Sequence, residues 1–256
     1  MARGVLLGLL LAGGLAVGVR PRAFAASERL GRANFANTCS AAVQGDFQGG
    51  VLLLHSMEFQ QAEGDFRRAE AGDPQCVIAA WGLALAVTER AGADAPQKDL
   101  AKGWSELEPW LRRQAGSARE QMYIDAVRAM YANYASTPGD VRWRLYLAGM
   151  EAIRQKYPDD VNASLFYALG LVWTAGPGEE GIAQRRQALA ILLPIFQEHP
   201  DNPGAAHYII HPRIRRRWLR WRCRRRASMR RLRRTRRMRS ICRRTFSIGW
   251  VTGRTR

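Results

Sequence analysis

From residue 43 to residue 211, apolar side chains recur every three or four positions, and no run alternates apolar with polar residues between two turns. That periodicity predicts helices and no strand. In the clearest case, Tyr123, Val127, Met130, Tyr131 and Tyr134 fall on one helical face, and Ser117 with Glu120 has the spacing of a capping box at its start. Breakers separate the helices at Gly92 to Pro96, Gly116, Pro138 with Gly139, and Gly176 to Gly178. A longer period underlies the short one. Between Val43 and Pro74, residues Gly50, Leu53, Phe59, Ala62, Phe66, Ala69 and Pro74 take the offsets of a helix pair repeating about every 34 residues. Gly50 and Ala62 are small enough for two helices to approach, Phe59 and Phe66 fill the seam, and Pro74 ends the second helix. Pro74, Pro158 and Pro200 each precede a new helix that should bury an aromatic, namely Trp81, Phe166 and Tyr208. The expected fold is all-α: antiparallel helix pairs stacked into a curved α-solenoid over residues 26–211. The last helix, "AAHYIIH", opens a unit that the following residues do not finish, and it should expose apolar surface.

Charge changes the picture only at the end of the chain. The net charge of +18 suggests a polyanion partner, yet residues 212–256 hold 20 arginines and no acid. The first 211 residues carry 20 basic against 22 acidic side chains, a net of −2, so they lack a field that attracts nucleic acid. An acid-free arginine run is expected to be a disordered Arg-rich C-terminal tail. Its Trp218 and Trp221 between arginines would suit single-stranded nucleic acid, and otherwise give non-specific, salt-sensitive polyanion binding. At the other end, Arg3, an apolar run from Val5 to Val19 and "RAFA" ending at Ala25 follow the order of a signal peptide over residues 1–25. The run is shorter than the roughly 20 residues a membrane-spanning helix needs. No membrane span is therefore expected after cleavage, and the location should be periplasmic or secreted. In an oxidising compartment the four cysteines invite pairing; with Cys223 and Cys242 in the tail, the expected disulfide is Cys39 with Cys76, against the alternative of two buried thiols.

The tail also reads as another protein one base away. Shifted so that each codon takes the third base of one residue and the first two of the next, "RMRSICRRTFSIGWVT" from Arg237 can spell "HAQHMPSHIFYRLGN". Cys39-Ser40, Leu53 to Ser56, Asp73 to Cys76, Ala80 to Ala84, Tyr157 to Asp160, Phe166 to Leu169, Gln184 to Ala188 and Asp201 to His211 form an ordered set of motifs. Over roughly residues 36–211, this set resembles exported bacterial tetratricopeptide-repeat (TPR) proteins, which continue after the last of these motifs into "HMPSHIF". The resemblance implies a TPR-like scaffold for protein binding, and it implies that residues 212–256 are out-of-frame translation following a frameshift near Pro212.

Candidate chemistry is sparse. His207 and His211 stand four apart on one helical face and suit a metal ion, with His55 on another helix as a third member of an incomplete cluster. The competing reading is that these imidazoles hydrogen-bond between packed helices. No nucleophile with its base, phosphate loop or acid pair at a useful spacing is found, so no enzyme activity and no cofactor other than such a metal is expected. "GPGEEG" at Gly176 is a turn, Asp159 with Asp160 starts a helix, and Asn162-Ala163-Ser164 matches a glycosylation acceptor inside a helix. Three functions follow in order: a protein- or peptide-binding scaffold, a metal or ligand site at the histidines, and nucleic-acid binding through the tail.

Overall fold

The computed structural model describes residues 30–91 and 95–212. The signal peptide expected over residues 1–25 and the Arg-rich tail from residue 213 onward lie outside them. Among the described residues there are nine α-helices and no strand. They are α1 (Gln44–His55), α2 (Phe59–Gly72), α3 (Ile78–Ala91), α4 (Gln97–Leu107), α5 (Ala118–Tyr131), α6 (Gly139–Lys156), α7 (Val161–Thr174), α8 (Gly178–Glu198) and α9 (Pro203–Tyr208). No described helix is long and apolar enough to cross a membrane.

Proline placement sets three of the helix ends. α2, α6 and α8 each stop two residues before Pro74, Pro158 or Pro200. The intervening residues are pushed out of helical geometry: Asp73 has φ −144° and ψ 96°, Tyr157 φ −128° and ψ 76°, and His199 φ −123° and ψ 67°. A proline ring clashes with a helical residue before it, which is why the turn falls there. Two of the next helices are then capped from the same turn. Asp160 accepts from Ala163 N at 3.0 Å to start α7, and Asn202 accepts from Gly204 N at 2.9 Å to start α9. Pro194 behaves otherwise, lying inside α8. It sits on the exposed side beside exposed Ala190, where water can take up the carbonyl it leaves without a donor.

Successive helices joined by short loops pack on one another from α1 to α4 and again from α5 to α8, and α5 also packs on α3. Phe66 of α2 is the knob of the first pair. A Cβ on Gly50 would come within 2.8 Å of its ring, and Gly82 of α3 is equally bare beneath it. Ala62 and Ala69 are fully buried beside Phe66, while Phe59 is half-buried at the edge of the core. Trp81 occupies the centre, its ring 6.3 Å from Phe66, 5.3 Å from Tyr123 of α5 and 5.4 Å from Phe166 of α7. Truncating so buried an aromatic costs about 3–5 kcal/mol.

The last helix departs from a simple stack. Where each unit touches only its neighbours, first and last helices lie apart. Here α9 rests on α1 and α7 as well as α8, and Arg32 N donates to Asp201 O at 3.1 Å, so the two ends of the described chain meet. The apolar surface expected from "AAHYIIH" is largely covered as a result: Ala205 and Tyr208 are fully buried, and Ile210 is the large apolar residue left exposed, at 45%.

Candidate functional site

Ahead of α1 the chain runs as an extended segment over residues 31–40, without helix or strand partner. Ala33, Phe35 and Cys39 are buried, Asn37 is half-buried, and Arg32, Asn34, Ala36, Thr38 and Ser40 are exposed. That alternation is the signature of an extended chain laid with one face down. Its backbone groups, which need partners once water is excluded, find them on helix side chains. Gln48 of α1 grips one residue at both sides: Phe35 N donates to its Oε1 at 3.0 Å and its Nε2 donates to Phe35 O at 2.7 Å. Asn162 Nδ2 of α7 donates to Asn34 O at 2.9 Å, and Arg119 Nη1 of α5 donates to Ala36 O at 2.9 Å. Further along, Gln44 Nε2 donates to Cys39 O at 2.8 Å, and Ser40 N donates to Asp73 Oδ2 at 2.7 Å.

Two side chains of the segment meet shaped receptors. The Phe35 ring is fully buried, with centroids 5.4 Å from Phe47, 5.1 Å from Trp81 and 4.8 Å from Tyr123. The Arg119 guanidinium stands 4.7 Å from its centre, a cation–π contact. Arg119 is fixed by Asp160 at 2.8 Å, and Tyr123 donates its hydroxyl to the same carboxylate at 2.9 Å. Burial, then the Asp160 charge, raises the Tyr123 pKa well above the phenolic range, so the hydroxyl stays a donor. Thr38 meets Glu120, whose carboxylate is 1% exposed: Thr38 N donates to Oε1 at 2.6 Å and Thr38 Oγ1 donates to Oε2 at 2.8 Å. This corrects the capping box expected at Ser117. Ser117 Oγ accepts from Glu120 N at 3.2 Å, but the return bond is not made because the Glu120 carboxylate is engaged by Thr38. Gly116 lies so close to the Thr38 hydroxyl that any Cβ there would overlap it.

Cys39 and Cys76 are joined in a disulfide, with their Cα atoms 4.6 Å apart. It fastens the far end of the segment to the start of α3, next to Asp73. Backbone N–H bonds from Ser40 and Gln75 hold the Asp73 pKa below the usual carboxylate value.

The histidines are placed between helices. Because Asn162 gives its Nδ2 to Asn34, its Oδ1 faces His55 Nε2 at 3.0 Å; the His55 proton therefore sits on Nε2, and Nδ1 accepts from Tyr208 at 3.0 Å. Both His55 nitrogens are thus engaged, and it does not turn a free lone pair toward the other two. His207 Nδ1 donates to His55 O at 3.0 Å, and the His207 and His211 rings lie 4.8 Å apart. The Nε2 atoms of His207 and His211 are buried without a hydrogen-bond partner. Burial lowers the pKa of all three, to about 4 for His55 and His211, which keeps the imidazoles neutral at pH 7. No group of three or more His, Cys, Asp or Glu suited to a metal is present among the described residues. The acceptor pattern at Asn162 is filled from within, since the side chain is 2% exposed with both ends bonded. A surface cleft lined by Gln60, Glu63, Gly64, Arg67 and Lys102 is bridged by its own charges, with Lys102 at 2.6 Å and Arg67 at 3.0 Å from Glu63.

Sequence reasoning reached Cys39, Cys76, Trp81 and the helix starts at Glu120 and Asp160, and did not reach Phe35, Gln48, Arg119, the engagement of Glu120 by Thr38 or the second duty of Asp160. One signal was available: Ala33, Phe35, Asn37 and Cys39 occupy every second position just ahead of α1. No protein-family profile, curated protein or solved structure matches the chain.

Proposed function

We propose that the chain is an exported TPR-like helical scaffold that binds a protein or peptide partner as an extended segment, on the face where α1, α3, α5 and α7 converge. One observation carries the reading. That face already holds ten residues of extended polypeptide, residues 31–40, largely through bonds from Gln48, Asn162 and Arg119 to backbone atoms. Backbone-directed bonds of this kind, with one pocket for a side chain, are how extended peptides are recognised elsewhere. The reading assigns no catalysis. A solenoid of stacked pairs and a periplasmic or secreted location belong to it as expectations, from the sequence period and the apolar N-terminus.

The test is peptide display on the immobilised full chain. Enriched peptides should share an aromatic residue and bind saturably; a library that yields no saturable binder to a protein of native circular dichroism overturns the reading. A second reading, a metal ion on His207 and His211, draws on their two unpartnered buried Nε2 atoms. Two imidazoles fall short of the three or four protein ligands of a zinc site, and a Zn²⁺ titration of the purified chain that shows no uptake removes it. Nucleic-acid binding by the tail rests on composition alone, and retention on heparin that persists at high salt would count against a simple charge effect.

A further inference from the structure

We infer that residues 31–38 act as an intramolecular ligand of this cradle, and that the partner replacing them is an extended polypeptide with an aromatic residue and, three positions later, a hydroxyl residue. The inference rests on the peptide-binding reading above and adds both the occupant and its chemistry. The bonds to Asn34 O, to Phe35 N and O and to Ala36 O would be met by any sequence, so they hold a chain without selecting it. Selection falls on the two side chains that meet receptors. An aliphatic residue in place of Phe35 loses the ring edges of Phe47 and Tyr123 and the guanidinium of Arg119. A residue without a hydroxyl in place of Thr38 leaves one oxygen of the buried Glu120 carboxylate unmet. Asn34 and Ala36 point outward and set no requirement.

Exchange is built into how the segment is fastened. Its far end is anchored at Cys39 by the disulfide and at Ser40 by Asp73. Its near end is held by Arg32 N on Asp201 O, by partly buried Leu30 against the core, and by an exposed Arg32–Asp201 ion pair of 3.7 Å, a class of contact that contributes little. Residues 31–38 contain no helix, so swinging them out about the anchor breaks no helical bond. A ligand tethered this closely has an effective concentration in the millimolar range, so a free copy of the segment should displace it only at comparable concentrations. Weakening the tethered copy should lower the concentration at which a free peptide binds.

The probe is a fluorescein-labelled peptide copying residues 32–40 with Cys39→Ser, titrated against three full-length chains: unsubstituted, Phe35→Ala, and Thr38→Val, the last retaining the buried ring should Phe35→Ala fold poorly. Anisotropy should show at least tenfold tighter binding to Phe35→Ala, and several-fold tighter binding to Thr38→Val, than to the unsubstituted chain. On the substituted chains, the peptide should lose at least tenfold with Phe35→Ala and several-fold with Thr38→Val in its own sequence. Equal binding to all three chains overturns the intramolecular ligand. Equal binding of all peptides overturns the stated chemistry and leaves the peptide-binding reading intact. No binding of any peptide to substituted chains with native circular dichroism removes that reading itself, and this inference with it.

Discussion

Residues 31–40 and residues 199–212 come to rest against the same two helices, α1 and α7, yet the first stretch is fastened by a disulfide and carboxylates, whereas the second is fastened through imidazoles. At the N-terminal end, the Cys39–Cys76 disulfide and the carboxylates of Asp73 and Glu120 hold the chain. At the C-terminal end, Tyr208 donates to a neutral His55, and His207 hangs from the His55 carbonyl. Asn162 joins the two, donating from Nδ2 to Asn34 O and accepting at Oδ1 from His55 Nε2. Two ends with the same resting place thus answer to different solution conditions, one to reductant and the other to acid.

The largest expected effect breaks the N-terminal end alone. The disulfide spans a sequence separation of 37, and on the chain-entropy account closing such a loop stabilises by about 4 kcal/mol. Cys39→Ser with Cys76→Ser should lower the unfolding free energy in urea by that order and raise hydrogen exchange over residues 31–40 well before residues 203–212 change. A loss under about 1 kcal/mol would mean the helix side chains hold the segment unaided.

Acid should break the other end. His55 is fully buried with its pKa lowered from 6.5 to about 4, faced by Asn162, Tyr208, Phe166 and His207. A histidine whose folded pKa is depressed binds its proton more readily when unfolded, so its stability contribution is complete above pH 6.5 and is lost as pH falls toward 4. For one such imidazole the loss is about 3 kcal/mol, and His211 and His207 act in the same direction. Asp73 runs the other way along the scale: its depressed pKa keeps it ionised below 3.8, so its contribution outlasts that of the imidazoles. Between pH 6.5 and 4, exchange should rise first over residues 203–212, with residues 31–40 still protected. The opposite order would remove the distinction between the ends.

How much of this was legible beforehand follows from what each level of the chain encodes. Helix ends were readable at Pro74, Pro158 and Pro200 because a proline acts on its immediate neighbour whatever the tertiary setting. The burial of Phe66 and Trp81 was readable because helical period marks a face. The meeting of α9 with α1 was not, since it pairs residues such as His55 and Tyr208 that are far apart in the chain, and periodicity carries no information about which distant faces meet. Glu120 shows the same limit at one residue: its local spacing from Ser117 signals a cap, and a partner 82 positions away takes its carboxylate instead. The cradle was missed because Phe35 lies in a stretch without helical period, and its two-residue alternation is short, with polar Asn37 in place of an apolar residue, so it marks an extended chain without telling which helices receive it.

A third change tests whether the two ends are coupled. Asn162→Leu removes the donor to Asn34 O and leaves the buried His55 Nε2 proton unmet. Each unmet buried group costs about 1–3 kcal/mol, so urea unfolding should show a loss of about 2–3 kcal/mol, with exchange raised over both 31–40 and 203–212. A response confined to one end would show that the shared amide is incidental.

The smallest effect is the most local. Asn202 caps α9 through Gly204 N and Ala205 N at 2.9 and 3.2 Å, and six residues are too few for a helix to persist on its own bonds. Asn202→Ala should therefore cost about 1 kcal/mol while moving neither the Phe35 socket nor the disulfide. Exchange should rise over residues 203–208 and stay unchanged over residues 31–40. Asp160 supplies the contrast, because it caps α7 and also holds Arg119 and Tyr123 around Phe35; Asp160→Ala should disturb the cradle where Asn202→Ala does not. If the two substitutions loosened residues 31–40 alike, the ends would form one cooperative unit, and acid acting at the histidines would release the cradle as well.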